Sequence, residues 1–160
     1  MSVKCTIFYD GKYSDIEIEP IGAGFWLQAR AAQAFTAMRE AALKVGIPLV
    51  VNTALRTHEQ QKQLRAIYDQ ALIDWHEGRR KKKPAPVAEP GSVHSHHEQG
   101  TAVDINRAPG DDLSTPEPDS PIDLWLNKNA KMFGFFRTVS EEPWHWQYLP
   151  EQMESRHAQA

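Results

Sequence analysis

Three histidines fall within four positions, at His94, His96 and His97, and are followed by Gly100 and a short apolar run that carries one carboxylate, Asp104. Imidazole nitrogen and carboxylate oxygen are the ligands that zinc takes when a site is not made of cysteine. The single Cys5 leaves no cysteine site and no internal disulfide framework. A second cluster, Glu141-Glu142-Pro143-Trp144-His145-Trp146, lies far downstream. Any fold for this chain therefore has to bring two remote segments to one point. Two ligands close in sequence, a third from a distant strand and an open fourth position would make a catalytic metal site.

The 160 residues are expected to form one domain, 1–160, long enough to bury a real core. With 24% charged residues and a net charge of -3, nothing pushes the chain as a whole toward nucleic acid. No run of about 18 apolar residues exists, so no membrane span is expected. The start, Met1-Ser2-Val3-Lys4-Cys5-Thr6, lacks the charged and apolar regions of a secretory signal. Three expectations stay open: the chain remains inside, leaves by a route not visible here, or is a trimmed form.

Lys4 to Tyr9 and Tyr13 to Glu19 read as two strands joined by the strong turn signal Asp10-Gly11. This N-terminal hairpin, 1–20, has no role in the reading beyond extending the sheet or covering an edge. Gly22 and Gly24 are read as the entry to a helix of roughly 20 residues. Its stripe of Leu27, Ala31, Ala34, Phe35, Met38, Ala42 and Val45 faces the core, and Gly46 closes it. Leu49 to Arg56 reads as a strand. Thr57, with Gln60 three residues on, opens a second helix, in which Leu64, Ile67, Tyr68, Ala71, Leu72 and Trp75 form another stripe. The basic run Arg79 to Lys83 at its end is a solvated helix terminus that compensates the dipole, or else a contact for an anionic wall polymer.

A proline-rich loop from Pro84 leads to the histidines, and Thr101 to Asn106 alternates with Val103 and Ile105 on one face and Asp104 on the other. Ala108 to Ser120 reads as a long surface loop. Ser120-Pro121 opens a third helix that turns Leu124, Trp125 and Met132 to the core and ends at Gly134. Phe135 to Val139 and Trp144 to Leu149 are two short strands, and 150–160 is a loosely held polar tail. The expected architecture is a single α+β domain. It has a central, mostly antiparallel sheet, helices packed on it and a zinc site in a surface cleft.

Ser95-x-His97-x-x-Gly100-x-Ala102-x-Asp104, followed by Glu142-Pro143-Trp144-His145, resembles the VanY-type D-alanyl-D-alanine carboxypeptidases, zinc peptidases that act on bacterial cell-wall peptides. Leu55-Arg56-Thr57, with Gln61 five residues after Arg56, is similar to the Tyr-Arg-Ser…Gln motif of that family, and Leu55 departs from its tyrosine. The likeness runs from about Asn52 to Tyr148. It implies one zinc per chain, held by His97, Asp104 and His145. Glu142 would be the catalytic base, and Arg56 would bind the substrate carboxylate or steady the oxyanion. Gln61 and Ser95 would line the cleft. Trp144 and Trp146 are expected to belong in part to the core, or to give the cleft an aromatic wall, with Trp144 the substrate-binding candidate. Ser92 and His94 offer a second Ser-x-His, but the seven-residue step to Asp104 and the place of Gly100 favour His97.

The resemblance thus implies hydrolysis of peptidoglycan stem peptides, in the periplasm or the wall, by a chain expected to be monomeric. Removal of a terminal D-alanine leads. The alternatives are an endolysin-like cut between L-alanine and D-glutamate, and a non-catalytic zinc domain that binds cell wall or a partner protein. Glu142 argues against the last, since a binding module needs no base.

Overall fold

The N-terminal hairpin forms as expected and then continues into a third strand. The computed structural model describes residues 1–106 and 119–153. β1 (Val3–Tyr9) pairs antiparallel with β2 (Lys12–Gly22), the turn residues Asp10 and Gly11 both having positive φ, as a tight primed turn requires. A second tight turn, in which Gly22, Ala23 and Gly24 all have positive φ, returns the chain as β3 (Phe25–Gln28). The glycines read as a helix entry therefore make a strand connection. Leu27, assigned to the helix, is a fully buried strand residue. The helix, α1 (Ala29–Lys44), starts two residues later, where the Gln28 side chain accepts the Ala31 N–H at 3.2 Å. Val45 lies beyond its end and is exposed.

The second sheet is antiparallel throughout, in the order β4 (Val51–Thr53), β5 (Ala102–Ile105), β7 (His145–Tyr148), β6 (Phe135–Phe136). β4 and β6 are shorter than the strands expected at 49–56 and 135–139. Its register decides where the chemistry goes. Asp104 stands opposite His145, and Val103 opposite Trp146. Residues directly opposite in an antiparallel pair share a face. Val103, Ile105 and Trp146 therefore enter the core with Phe35, Met38 and Phe135, while Asp104 and His145 share the other face. The chain is an α+β domain, and its hairpin belongs to a sheet of its own rather than to the sheet that carries the site.

Two helices present other faces than their stripes predict. α2 (His58–His76) begins in a complete capping box between Thr57 and Gln60, yet of its 19 residues only Gln61 is buried. Ile67 is 66% exposed. In the third long helix, α4 (Pro121–Asn129), Ser120 caps the start by accepting the Asp123 N–H, and a 3-10 turn over Ala130–Phe133 comes directly after it. Leu126 and Ala130 enter the core and Trp125 packs beside it, whereas Leu124 and Met132 are exposed. The change from an α to a 3-10 turn shifts the phase of the buried face, so a single 3.6-residue period misplaces it. Arg107, most of the loop expected at 108–120 and the tail beyond residue 153 lie outside the described residues. No described helix is long and apolar enough to cross a membrane.

Candidate metal centre

His97 stands on α3 (His96–Gln99), one helical turn that closes on Gly100 in the left-handed conformation. So short a helix cannot hold itself in place, and it is tied to the chain around Arg56. The Arg56 N–H donates to the His97 carbonyl at 3.0 Å, and His97 Nδ1 donates to the Ala54 carbonyl at 2.8 Å. The second bond fixes the tautomer and leaves a lone pair on Nε2. That atom lies 3.1 Å from Asp104 Oδ1 and 3.2 Å from His145 Nδ1, and the last two are 3.2 Å apart. A loop histidine, a strand carboxylate and a histidine from the neighbouring strand thus converge as a buried, nearly equilateral triangle. Among the described residues they are the group able to hold a metal ion.

The triangle fits a tetrahedral cation. Ligands about 2.0–2.1 Å from zinc stand about 3.3–3.4 Å from one another, close to the edges observed. The protonation states also fit. Burial, and then the nearby Arg56 guanidinium, push His97 down to about 4. Burial resists ionisation of Asp104, but the His97 and His145 rings beside it outweigh that and hold the carboxyl below the usual carboxylate range. A neutral imidazole and an ionised carboxylate are the forms that ligate. His94 and His96 line the adjoining cleft without joining the triangle.

Arg56 and Glu142 flank the centre. Arg56 Nη2 lies 3.7 Å from Asp104 Oδ2, the oxygen turned away from the histidines, and Nη1 donates to Gln61 Oε1 at 3.1 Å. Gln61, buried, passes the restraint on by donating to the Ala88 carbonyl at 3.0 Å. Glu142 Oε2 stands 3.9 Å from His145 Nδ1. All five side chains line one cavity of about 430 Å³. Its other wall is the apolar face of α2, with Leu64, Ile67, Tyr68 and Ala71, closed by the Pro84–Val87 loop and Val139. The stripe on α2 therefore faces a cleft rather than the core.

Of the two other residues expected at the cleft, one lies outside it. Trp144 is fully buried and is absent from the cavity wall, because it alternates with His145 and so points to the other side of β7. Ser95 borders the cavity, but its hydroxyl donates to Glu98. Two supporting groups carry no signal in the sequence. Glu98 stands next to His97 yet is buried. Arg137 donates to the Pro143 carbonyl through Nε at 3.2 Å and Nη2 at 2.8 Å, to Asp123 Oδ1 at 2.9 Å and to Asn127 Oδ1 at 2.6 Å. Its guanidinium lies 4.6 Å from the Trp146 ring centroid, so the segment between Glu142 and His145 is clamped from outside the site.

A family model described as VanY, D-alanyl-D-alanine carboxypeptidase, matches residues 24–151. A D-alanyl-D-alanine carboxypeptidase of Enterococcus faecalis is 30% identical over 151 residues, covering 84% of this chain and 53% of the relative. With a Bacillus subtilis relative of which 46% is covered, the chain spans about half the length of the curated proteins it matches. Among solved structures, a vancomycin-resistance D,D-pentapeptidase VanY mutant in complex with Zn(II) superposes with a TM-score of 0.66 at 27% identity, over 89% of this chain and 85% of the other. VanYB in complex with D-alanine-D-alanine gives 0.68 at 27% identity, over 91% and 84%. The LD-carboxypeptidase LdcB gives 0.59 at 29% identity, over 84% and 64%. With the family's match spanning both clusters and their connecting fold, this chain belongs to the VanY D-alanyl-D-alanine carboxypeptidase family.

Proposed function

We propose that the chain is a zinc-dependent peptidase that removes the C-terminal residue from peptidoglycan stem peptides, with terminal D-alanyl-D-alanine as its substrate. The observation that carries the reading is the three-donor triangle flanked in one cleft by a carboxylate and a guanidinium. His97, Asp104 and His145 hold the ion. Bound there, zinc supplies Lewis acidity, polarising a carbonyl and making water acidic near neutral pH. Glu142 takes the proton from the attacking water and passes it to the departing amine. Arg56, held by Gln61 with its charge toward the cleft, receives the terminal carboxylate or the developing oxyanion. The remainder of the peptide runs along the apolar face of α2. Such a substrate lies in the periplasm or the wall, and we place the protein's action there.

Purified peptidoglycan peptides incubated with the chain and with Glu142→Ala, with products read by mass spectrometry, test this. Free D-alanine released from a pentapeptide by the wild type alone is the expected result. Release only from a tetrapeptide would move the cut to the next bond, and a new N-terminal D-glutamate would make the chain an endopeptidase. A wild type that holds zinc and releases nothing would end the peptidase reading.

A further inference from the structure

Among the described residues, Glu98 is the buried carboxylate beside the metal centre that the reaction does not use. It is 1% exposed and gathers three donors from three places. Its Oε2 accepts the Gly91 N–H at 2.7 Å and the Ser95 hydroxyl, and its Oε1 accepts His58 Nδ1, at the start of α2, at 2.7 Å. The motif that carries the family likeness leaves this position open. The ties do not stop there. The Phe8 ring of β1 packs on His58, with centroids 4.3 Å apart, and covers Gly91 so closely that any side chain there would run into it. The hairpin also grips the loop directly, through Gly11 N–H to the Gly91 carbonyl at 2.9 Å and the Tyr9 hydroxyl to the Val93 carbonyl at 2.8 Å. Residues 1–23, which include the whole of β1, lie outside the family match.

We propose that Glu98 is a positioning residue for the metal centre, through which the N-terminal hairpin holds His97 in place. His97 sits on a single helical turn whose own hydrogen bonds cannot fix its direction. One side of that turn is tied to Ala54 and Arg56 through His97 itself, and Glu98 ties the other side to His58, Gly91 and, through them, Phe8. An ion needs its ligands held to within a few tenths of an ångström. Methionine at position 98 keeps the approximate length and volume of the side chain and removes both carboxylate oxygens, so the ties to His58, Gly91 and Ser95 are lost together.

The inference rests on the metal reading above, and its test separates the two. Zinc affinity of the full chain is measured by competition with a chromophoric chelator, and the visible spectrum of the cobalt(II)-loaded protein reports ligand geometry. Glu98→Met is expected to weaken zinc tenfold or more and to alter the cobalt spectrum, the range seen when groups behind metal ligands are removed. A smaller change, or an unaltered spectrum, overturns the proposal however far the melting temperature falls. If Glu98→Met does not fold, Phe8→Ala and His58→Phe decide. A loss of zinc affinity beyond threefold supports the proposal, and a smaller one overturns it. A wild type that takes up neither metal overturns the metal reading itself.

Discussion

His97 uses its two nitrogens for different tasks, Nδ1 for the Ala54 carbonyl and Nε2 for the centre, and this division has a cost at low pH. Its ordinary pKa of 6.5 is pushed down to about 4 by burial and by Arg56. Between these values the unfolded chain binds a proton that the folded chain excludes. The His97 contribution is therefore complete above about pH 6.5 and drains away as the pH falls toward 4. Asp104, also held below its usual range, extends the loss into more acid solution. The metal-free protein should lose on the order of 3 kcal/mol to His97 over that window. Thermal melts in chelator would show a shallower slope for His97→Gln; an equal slope would refute the assignment. Glu142→Gln should lower turnover about 10²–10⁴-fold and leave zinc content unchanged, measured on the same preparation. The convergence of His97, Asp104 and His145 was readable because their spacing admits few other uses. Glu98 was not, because a glutamate beside a ligand on a short turn reads as solvent-facing until the chain packed over it is known.

Helix α2 shows why an apolar stripe does not name its partner. A 3.6-residue period reports that one face avoids water, and either a core or a cleft satisfies it. The capping box, and hence the start of the helix, was correctly placed because it depends only on neighbours in sequence. What faces the stripe depends on the distant Pro84–Val87 loop. The two alternatives differ in their energetics. Phe35→Ala, in the core contributed by α1, should cost about 3–5 kcal/mol. Ile67→Ser, on the cleft wall, should change stability by no more than about 0.5 kcal/mol while raising KM for the peptide. A large loss of stability from the second change would return α2 to the core. The misplaced third strand, β3, has a similar origin, since Gly22 and Gly24 mark a chain reversal that a strand or a helix can leave equally well.

Across the whole molecule, the four-stranded sheet brings residues some 40 positions apart in sequence, Asp104 and His145, to opposite places in one register. Binding of an ion by this triangle would therefore be coupled to folding. Zinc at about 100 times its Kd should stabilise the wild type by about 2.7 kcal/mol, seen as a melting temperature that rises with zinc, and His145→Ala should abolish the rise. The cleft itself has a further consequence. A wall of Leu64, Ile67, Tyr68 and Ala71 left open to solvent is adhesive surface, and in concentrated solution two such walls are each other's nearest substitute for a guest. Light scattering should then grow with protein concentration, diminish when peptide fills the cleft and largely vanish in Ile67→Lys. An apolar face that gives the proposed substrate its footing would thus limit how crowded a solution of this protein can become.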